Sequence, residues 1–245
     1  MTADMTALAP ASPLLLDGIH ADVWHAHTLS RQALPVLATG NATLDAQLPG
    51  GGWPIGALTE ILQPPGVHSE WRLLLPALVR SGSAAVVLVG APHQPFAPAL
   101  AAQGLVASRL LWLQAGPSAA RLWATEQALR CAEVNAVLAW LPQARSDQLR
   151  RLQMAAAEYS KLLFVMRPDA VRDEASPAGL RLQLQPQPQP DNAPAQAGDA
   201  LQVQLLKRRG PPLDKPLQLQ ARAARFTLLL ASSQAHALDR RSHCA

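Results

Sequence analysis

Cysteine is nearly absent from this chain: Cys131 and Cys244 are the only two among 245 residues. That is too few for a disulfide framework or a cysteine-based zinc site. Long apolar runs are missing as well. The longest strand-like run is Ala84–Val89, far short of the roughly 20 residues that a membrane-spanning helix needs, so no membrane association is expected. The opening Met-Thr-Ala-Asp does not lead from a basic stretch into an apolar one, which argues against a secretory signal and makes a cytoplasmic protein the expectation. Charge is scarce too, at 16% of residues against 49% hydrophobic. Such a composition excludes a disordered chain and calls for a well-filled core. Tyrosine occurs once and phenylalanine three times beside six tryptophans, so aromatic contacts rest mainly on indoles.

The charge that is present is unevenly divided. Residues 1–70 hold six acids (Asp4, Asp17, Asp22, Asp45, Glu60 and Glu70) and one base, Arg31, for a balance of −5. The remainder carries 20 bases and 11 acids, or +9, and the whole chain is +4. Eighteen of the 21 bases are arginine. The polarity fits a basic surface that meets nucleic acid or an acidic partner, and equally an arginine-rich composition with solvated faces.

Residues 1–38 read as an N-terminal arm, with an amphipathic stretch around Leu14–Trp24. Within Thr39–Gly56, the cluster Pro49-Gly50-Gly51-Gly52-Trp53-Pro54 predicts a turn or loop, since glycine and proline interrupt both regular structures. Beyond it, short apolar runs alternate with amphipathic segments. Strands are predicted at Ala57–Leu62, Ala84–Val89, Leu110–Leu113, Ala136–Leu141 and Leu162–Met166. Helices are predicted at Trp71–Arg80, at Ser118–Glu133 with a stripe of Leu122, Leu129 and Ala132, and at Asp147–Lys161 with Leu149, Leu152, Ala156 and Tyr159 on one face. Strands that are apolar throughout belong to a sheet covered on both faces, so the fold class is α/β with a mostly parallel sheet.

The last third differs. Arg181–Gln185 alternates as a half-exposed strand would, and residues 186–199 form a Pro/Gln/Ala-rich link. Residues 200–231 read as an antiparallel addition to the sheet edge, from Leu201–Leu206, Leu217–Gln220 and Arg225–Leu230. Residues 232–245 form a polar tail.

Several of these residues, in this order, carry a resemblance. Thr39-Gly40, Leu44-Asp45, Leu48, Gly50–Gly52, Pro54, Gly56 and Glu60-Ile61 resemble the entry into the ATPase core of the RecA recombinase. Glu126-Gln127-Ala128-Leu129 ahead of an apolar strand extends the likeness, which covers about Thr39–Met166 and implies a RecA-like core over residues 39–185. In that family a phosphate-binding loop follows the first strand. It needs glycines whose N–H groups cradle phosphates, a lysine, and a hydroxyl for magnesium. Here Gln63-Pro64-Pro65-Gly66-Val67-His68-Ser69-Glu70 stands instead. Gln63 and His68 replace the glycines, Ser69 the lysine and Glu70 the hydroxyl. Two prolines remove donors, and Glu70 would repel a phosphate. The acid expected to hold magnesium is replaced by Trp140-Leu141-Pro142, and the catalytic glutamate by Gly90-Ala91-Pro92-His93. Three parts of phosphoryl-transfer chemistry are missing, so no enzyme activity and no cofactor are expected.

With Leu205-Leu206-Lys207-Arg208-Arg209-Gly210 near its C-terminus, this degenerate core is similar to the ImuA family, which is related to the SulA division inhibitors. The resemblance implies a non-catalytic accessory of damage-induced (SOS) error-prone translesion synthesis. Its implied partners are the polymerase-like ImuB, an error-prone replicative-type DNA polymerase reached through ImuB, RecA, and DNA itself. A SulA-like inhibitor of the tubulin-like division protein is the alternative; SulA-type chains are shorter.

The binding candidates are mostly basic. Lys207, Arg208, Arg209, Lys215, Arg222 and Arg225 place six bases with one acid, Asp214, within 19 residues, next to a turn forced by Gly210-Pro211-Pro212. They could contact phosphates or an acidic protein surface, or form a solvated hairpin tip, since no aromatic interleaves with them. Trp53, between glycines and a proline, is the candidate for an exposed aromatic anchor, while Trp71, Trp112 and Trp123 read as core. His25-Ala26-His27 has no identifiable third ligand for a metal, and His68-Ser69-Glu70 cannot form a catalytic triad from adjacent positions.

Overall fold

A computed structural model describes residues 34–186, 200–211, 213 and 215–220. The chain enters through β1 (Val36–Leu37), a short helix α1 (Ala42–Asp45) and a one-turn helix at Pro49–Gly51. β2 (Trp53–Pro54) then pairs antiparallel with β1. The residues of this first segment have structural work: Asn41 caps α1 through its side-chain oxygen, Asp45 accepts a hydrogen bond from the Thr39 N–H at 2.8 Å, and Leu44 is fully buried.

The core alternates as its apolar runs require. β3 (Ala57–Gln63) leads to α2 (Glu70–Arg80), β4 (Ala85–Val89), a short α3 (Ala97–Ala102) and β5 (Leu110–Leu113). α4 (Ser118–Arg130), β6 (Val134–Trp140), α5 (Ser146–Glu158) and β7 (Leu162–Pro168) follow, then β8 (Leu180–Pro186), β9 (Ala200–Lys207) and β10 (Leu217–Gln220). Eight strands form one sheet in the order β10-β9-β8-β3-β7-β6-β4-β5. β3 to β8 run parallel, and β9 and β10 return antiparallel. The α/β sheet, helices on both faces and the antiparallel C-terminal addition agree with the sequence reading.

Two apolar layers hold the sheet. One gathers Leu73, Leu74, Leu78, Ile61, Leu138 and Phe164 beneath α2. The other packs Leu129, Leu149, Leu152 and Ala156 of α4 and α5 against Leu58, Val137 and Val165. Burial of this kind is worth about 25 cal/mol per Å² of apolar surface removed from water.

Some expectations need correcting. Trp123 does not belong to the core: it is 63% exposed. The buried face of α4 is Thr125, Glu126, Ala128 and Leu129, and Trp123 lies about 200° round the helix from Thr125 at 100° per residue. Of the proposed stripe, Leu129 is buried and Leu122 half-buried, whereas Ala132 lies past the helix end and is exposed. β8 is not half-exposed either. Lying between β3 and β9, it buries Arg181, Leu182, Gln183 and Leu184. Its polar side chains are taken up internally: Arg181 by Glu60 and Gln183 by Arg172.

Candidate functional site

The parallel strands end in a cleft of about 650 Å³, the end at which open α/β sheets hold their ligands. The three segments that depart from the phosphoryl-transfer pattern meet here: the Gln63–His68 loop after β3, Gly90–Pro92 after β4, and Trp140 with Pro142 after β6. The loop joining β3 to α2 is where the sequence resemblance would put a phosphate loop, and its own side chains close it. The Gln63 amide nitrogen donates to Glu70 Oε2 at 2.8 Å, and the Gln63 amide oxygen accepts from the Ser69 N–H at 2.7 Å. Pro64 to Val67 make a turn closed by a Val67 N–H to Pro64 C=O bond of 3.1 Å. Gly66 takes φ +77°, the left-handed residue such a turn demands after a proline.

These contacts explain what the loop can and cannot do. The Ser69 and Val67 N–H groups, which a phosphate would need, already have acceptors within the loop. Glu70 is 1% exposed and is the first residue of α2. Its carboxylate sits in the helix's first turn, where the exposed N–H groups favour negative charge, so the anion at this helix end is supplied by the chain. Among the described residues no Asp, Glu, Ser or Thr lines the cleft, and a magnesium ion bound with phosphates takes such oxygen ligands. The residues present do not fit a magnesium nucleotide.

The remaining wall is basic and aromatic. Arg121 donates to the Ala115 carbonyl at 2.9 Å and packs so closely on Gly90 that any Cβ there would stand 2.8 Å from its Cδ. The rings of His68 and His93 meet edge-to-face, 4.9 Å between centroids. The indole N–H groups of Trp112 and Trp140 are buried without an acceptor among the described residues.

Behind the cleft lies a charge cluster that sequence reasoning did not assemble. Glu60 is fully buried and accepts from Arg167 Nη1 at 2.8 Å and Arg181 Nε at 2.6 Å. Arg181 further donates to the carbonyls of Val171, Arg172 and Glu174, and Arg167 to Ala144 C=O and the Glu174 carboxylate. Glu60 and Arg181 are 121 residues apart, and only the register that pairs β3 with β8 brings them together.

The basic hairpin lies at the opposite end of the sheet, because β9 runs back along β8 to where the parallel strands begin. Its bases are not equivalent. Lys207 donates to the Ser176 carbonyl at 2.9 Å. Arg208 is anchored to the Pro211 carbonyl at 2.9 Å and to the Gln47 carbonyl. Arg209 and Lys215 are exposed. Arg222 and Arg225 lie outside the described residues, as do His25 and His27. Trp53 is not an exposed anchor. It is fully buried and stands edge-on to Phe164 at 5.4 Å and 87°, because pairing Trp53 with Leu37 turns the indole inward. Among the described residues no group of three or more His, Cys, Asp or Glu could hold a metal, and no helix is long and apolar enough to cross a membrane.

No family model matches the chain. Among curated proteins, it is similar to the cell division inhibitor SulA of Photorhabdus laumondii, with 36% identity over 112 residues. That match covers 45% of this chain and 63% of SulA. It is also similar to protein ImuA of Caulobacter vibrioides, with 32% identity over 134 residues, 51% of this chain and 54% of ImuA. The chain thus spans between half and two thirds of the length of the curated relatives it matches.

Proposed function

The chain is an ImuA/SulA-related protein, and we propose that it is a non-catalytic accessory of damage-induced, error-prone translesion DNA synthesis. In this reading it is an adaptor between a polymerase-like partner of the ImuB kind, RecA and DNA, with an error-prone replicative-type polymerase reached through ImuB. The observation that carries the reading is the self-closed loop after β3. Gln63 and Glu70 bond each other where a nucleotide's phosphates would have to lie, so the core keeps its shape as a docking body without a nucleotide. The basic hairpin supplies a charged surface for phosphates or an acidic protein face, through Arg209 and Lys215 first and Lys207 second.

The test is an affinity capture of the tagged full chain from DNA-damaged cells, with bound proteins identified by mass spectrometry. Recovery of the polymerase-like partner or RecA, reduced by Lys207, Arg209 and Lys215→Ala, supports the adaptor. The likeness to SulA supports a second reading, in which the chain binds the tubulin-like division protein. Recovery of that protein alone, with filamentous growth on overproduction, replaces the first reading by the second.

A further inference from the structure

We propose that the cleft at the C-terminal end of the parallel strands binds a small aromatic carboxylate. The inference goes beyond the adaptor reading and does not depend on it. It starts from where the unpartnered donors are. Four side-chain nitrogens among the described residues are buried without an acceptor: Nε1 of Trp53, Trp112 and Trp140, and Nε of Arg167. Buried polar groups nearly always have partners, so each exception needs a reason. Trp53 packs edge-on to Phe164 and lines no part of the cleft. The other three nitrogens belong to side chains that all line it. Trp140 is 8% exposed and Arg167 6%, so both are fixed parts of the wall.

Strand register sets the two indoles on either side of one strand end. Val89, the last residue of β4, pairs with Leu113 of β5 and with Ala139 of β6. Trp112 precedes Leu113 and Trp140 follows Ala139, so the two residues flank the end of β4. The chain continues there as Gly90, which contributes no side chain between them. Both indoles pack with the apolar layer beneath α2, which puts them on one face of the sheet.

Charge selects the kind of acceptor these donors take. The Arg121 guanidinium, also in the wall, donates to the carbonyls of Ala115 at 2.9 Å and Trp140 at 3.5 Å. Those partners are neutral, and among the described residues no carboxylate forms an ion pair with it. Arg167 shares the Glu60 carboxylate with Arg181. Among the described residues no Asp or Glu lines the cleft. A ligand there meets N–H donors and positive charge, which favour an anionic oxygen acceptor. Much of the remaining wall is Pro64, Pro65, Pro92, Pro142 and Met166. Together with the indoles it suits a flat apolar body and gives a bare inorganic anion little to bury. The volume of about 650 Å³ is that of an ordinary small-molecule site. The self-closed loop removes phosphates from the candidates and leaves the indole N–H groups unanswered; an aromatic acid answers them.

The probe is cinnamate, titrated into the isotope-labelled full chain while the tryptophan indole N–H signals are followed by NMR. Trp112→Phe and Trp140→Phe keep an aromatic ring, remove the donor and assign the two signals. The proposal expects saturable downfield shifts at Trp112 and Trp140 and none at the exposed Trp123. Affinity should fall at least about ten-fold in each Phe variant, and at least about ten-fold for the cation cinnamylamine on the wild type. The cationic control uses no substitution, so a poorly folded variant cannot decide the outcome. Absence of shifts, equal binding of the cation, shifts confined to other tryptophans, or unchanged affinity in both Phe variants overturns the proposal. Shifts from adenosine but not from cinnamate overturn it in favour of a base site. Binding of acetyl-glycyl-tryptophan at least about ten-fold tighter than cinnamate overturns it in favour of a partner's C-terminal carboxylate. The adaptor reading fails separately, in the capture from damaged cells, because the hairpin lies at the opposite end of the sheet from the cleft.

Discussion

The two ends of the sheet treat charge in opposite ways. Where the parallel strands finish, polar groups are turned upon one another: Gln63 bridges Ser69 and Glu70, and just behind them Glu60 holds two arginines in the interior. Where the strands begin, the hairpin lets its bases reach outward, with Lys207 held by a backbone carbonyl and Arg208 by backbone carbonyls and the Gln47 side chain. A residue's charge in the sequence therefore says little about whether a ligand can use it. Glu70 is closed off by Gln63 in the first turn of α2, while Arg209 stands open where the chain leaves β9.

The largest break in this contrast should come from Glu60→Gln. It leaves Arg181 buried without a counter-charge and Arg167 with only the exposed Glu174 carboxylate, and loss of one partner of a buried pair costs about 3–5 kcal/mol. Urea unfolding should show that loss as a lower midpoint at unchanged slope. Next is Gln63→Ala, which strips Glu70 and the Ser69 N–H of a buried partner. A drop of about 1–3 kcal/mol is expected in the same measurement, with no nucleotide affinity gained, since prolines and a buried acid still occupy the loop.

A third test probes the helical layer. Burial works to raise the Glu126 carboxyl, but hydrogen bonds from Arg151 and then Arg130 outweigh it and hold it below the ordinary carboxylate range. A depressed folded pKa contributes stability above the unfolded value and loses it as pH falls through the folded one. Wild type should therefore exceed Glu126→Gln in stability at neutral pH, and urea midpoints should converge as the solution is acidified. The smallest effect on stability belongs to Arg209→Ala with Lys215→Ala. Exposed substitutions of this kind stay within about 0.5 kcal/mol, while partner or DNA affinity falls and becomes less sensitive to salt.

Much of this architecture was legible in the sequence, for local reasons. Ala57–Leu62, Leu110–Leu113 and Leu217–Gln220 carry their strand identity in apolar or alternating runs, and the observed ends differ by at most one residue. That Gln63–Glu70 carries two prolines and no lysine could be read directly as well, since neither needs a partner. Trp53 and Trp123 were misread in opposite directions, since glycines around an indole do not reveal that β1 folds it inward. The helix α3 was missed, as a Pro/Ala-rich stretch has no amphipathic stripe. Glu60, Arg167 and Arg181 could not be joined from sequence at all, because strand register decides their meeting. Their one signal was charge inside otherwise apolar strands, at Glu60 and Arg167, where a buried partner is needed.

Whether Gln63 and Glu70 close the loop after β3 to phosphates is decided by titrating the purified full chain with magnesium-ATP in a calorimeter. No saturable heat is expected up to millimolar nucleotide, for the wild type and for Gln63→Ala alike. Saturable micromolar binding by the wild type, abolished by Arg121→Ala in the cleft wall, would contradict it and return the cleft to nucleotide chemistry.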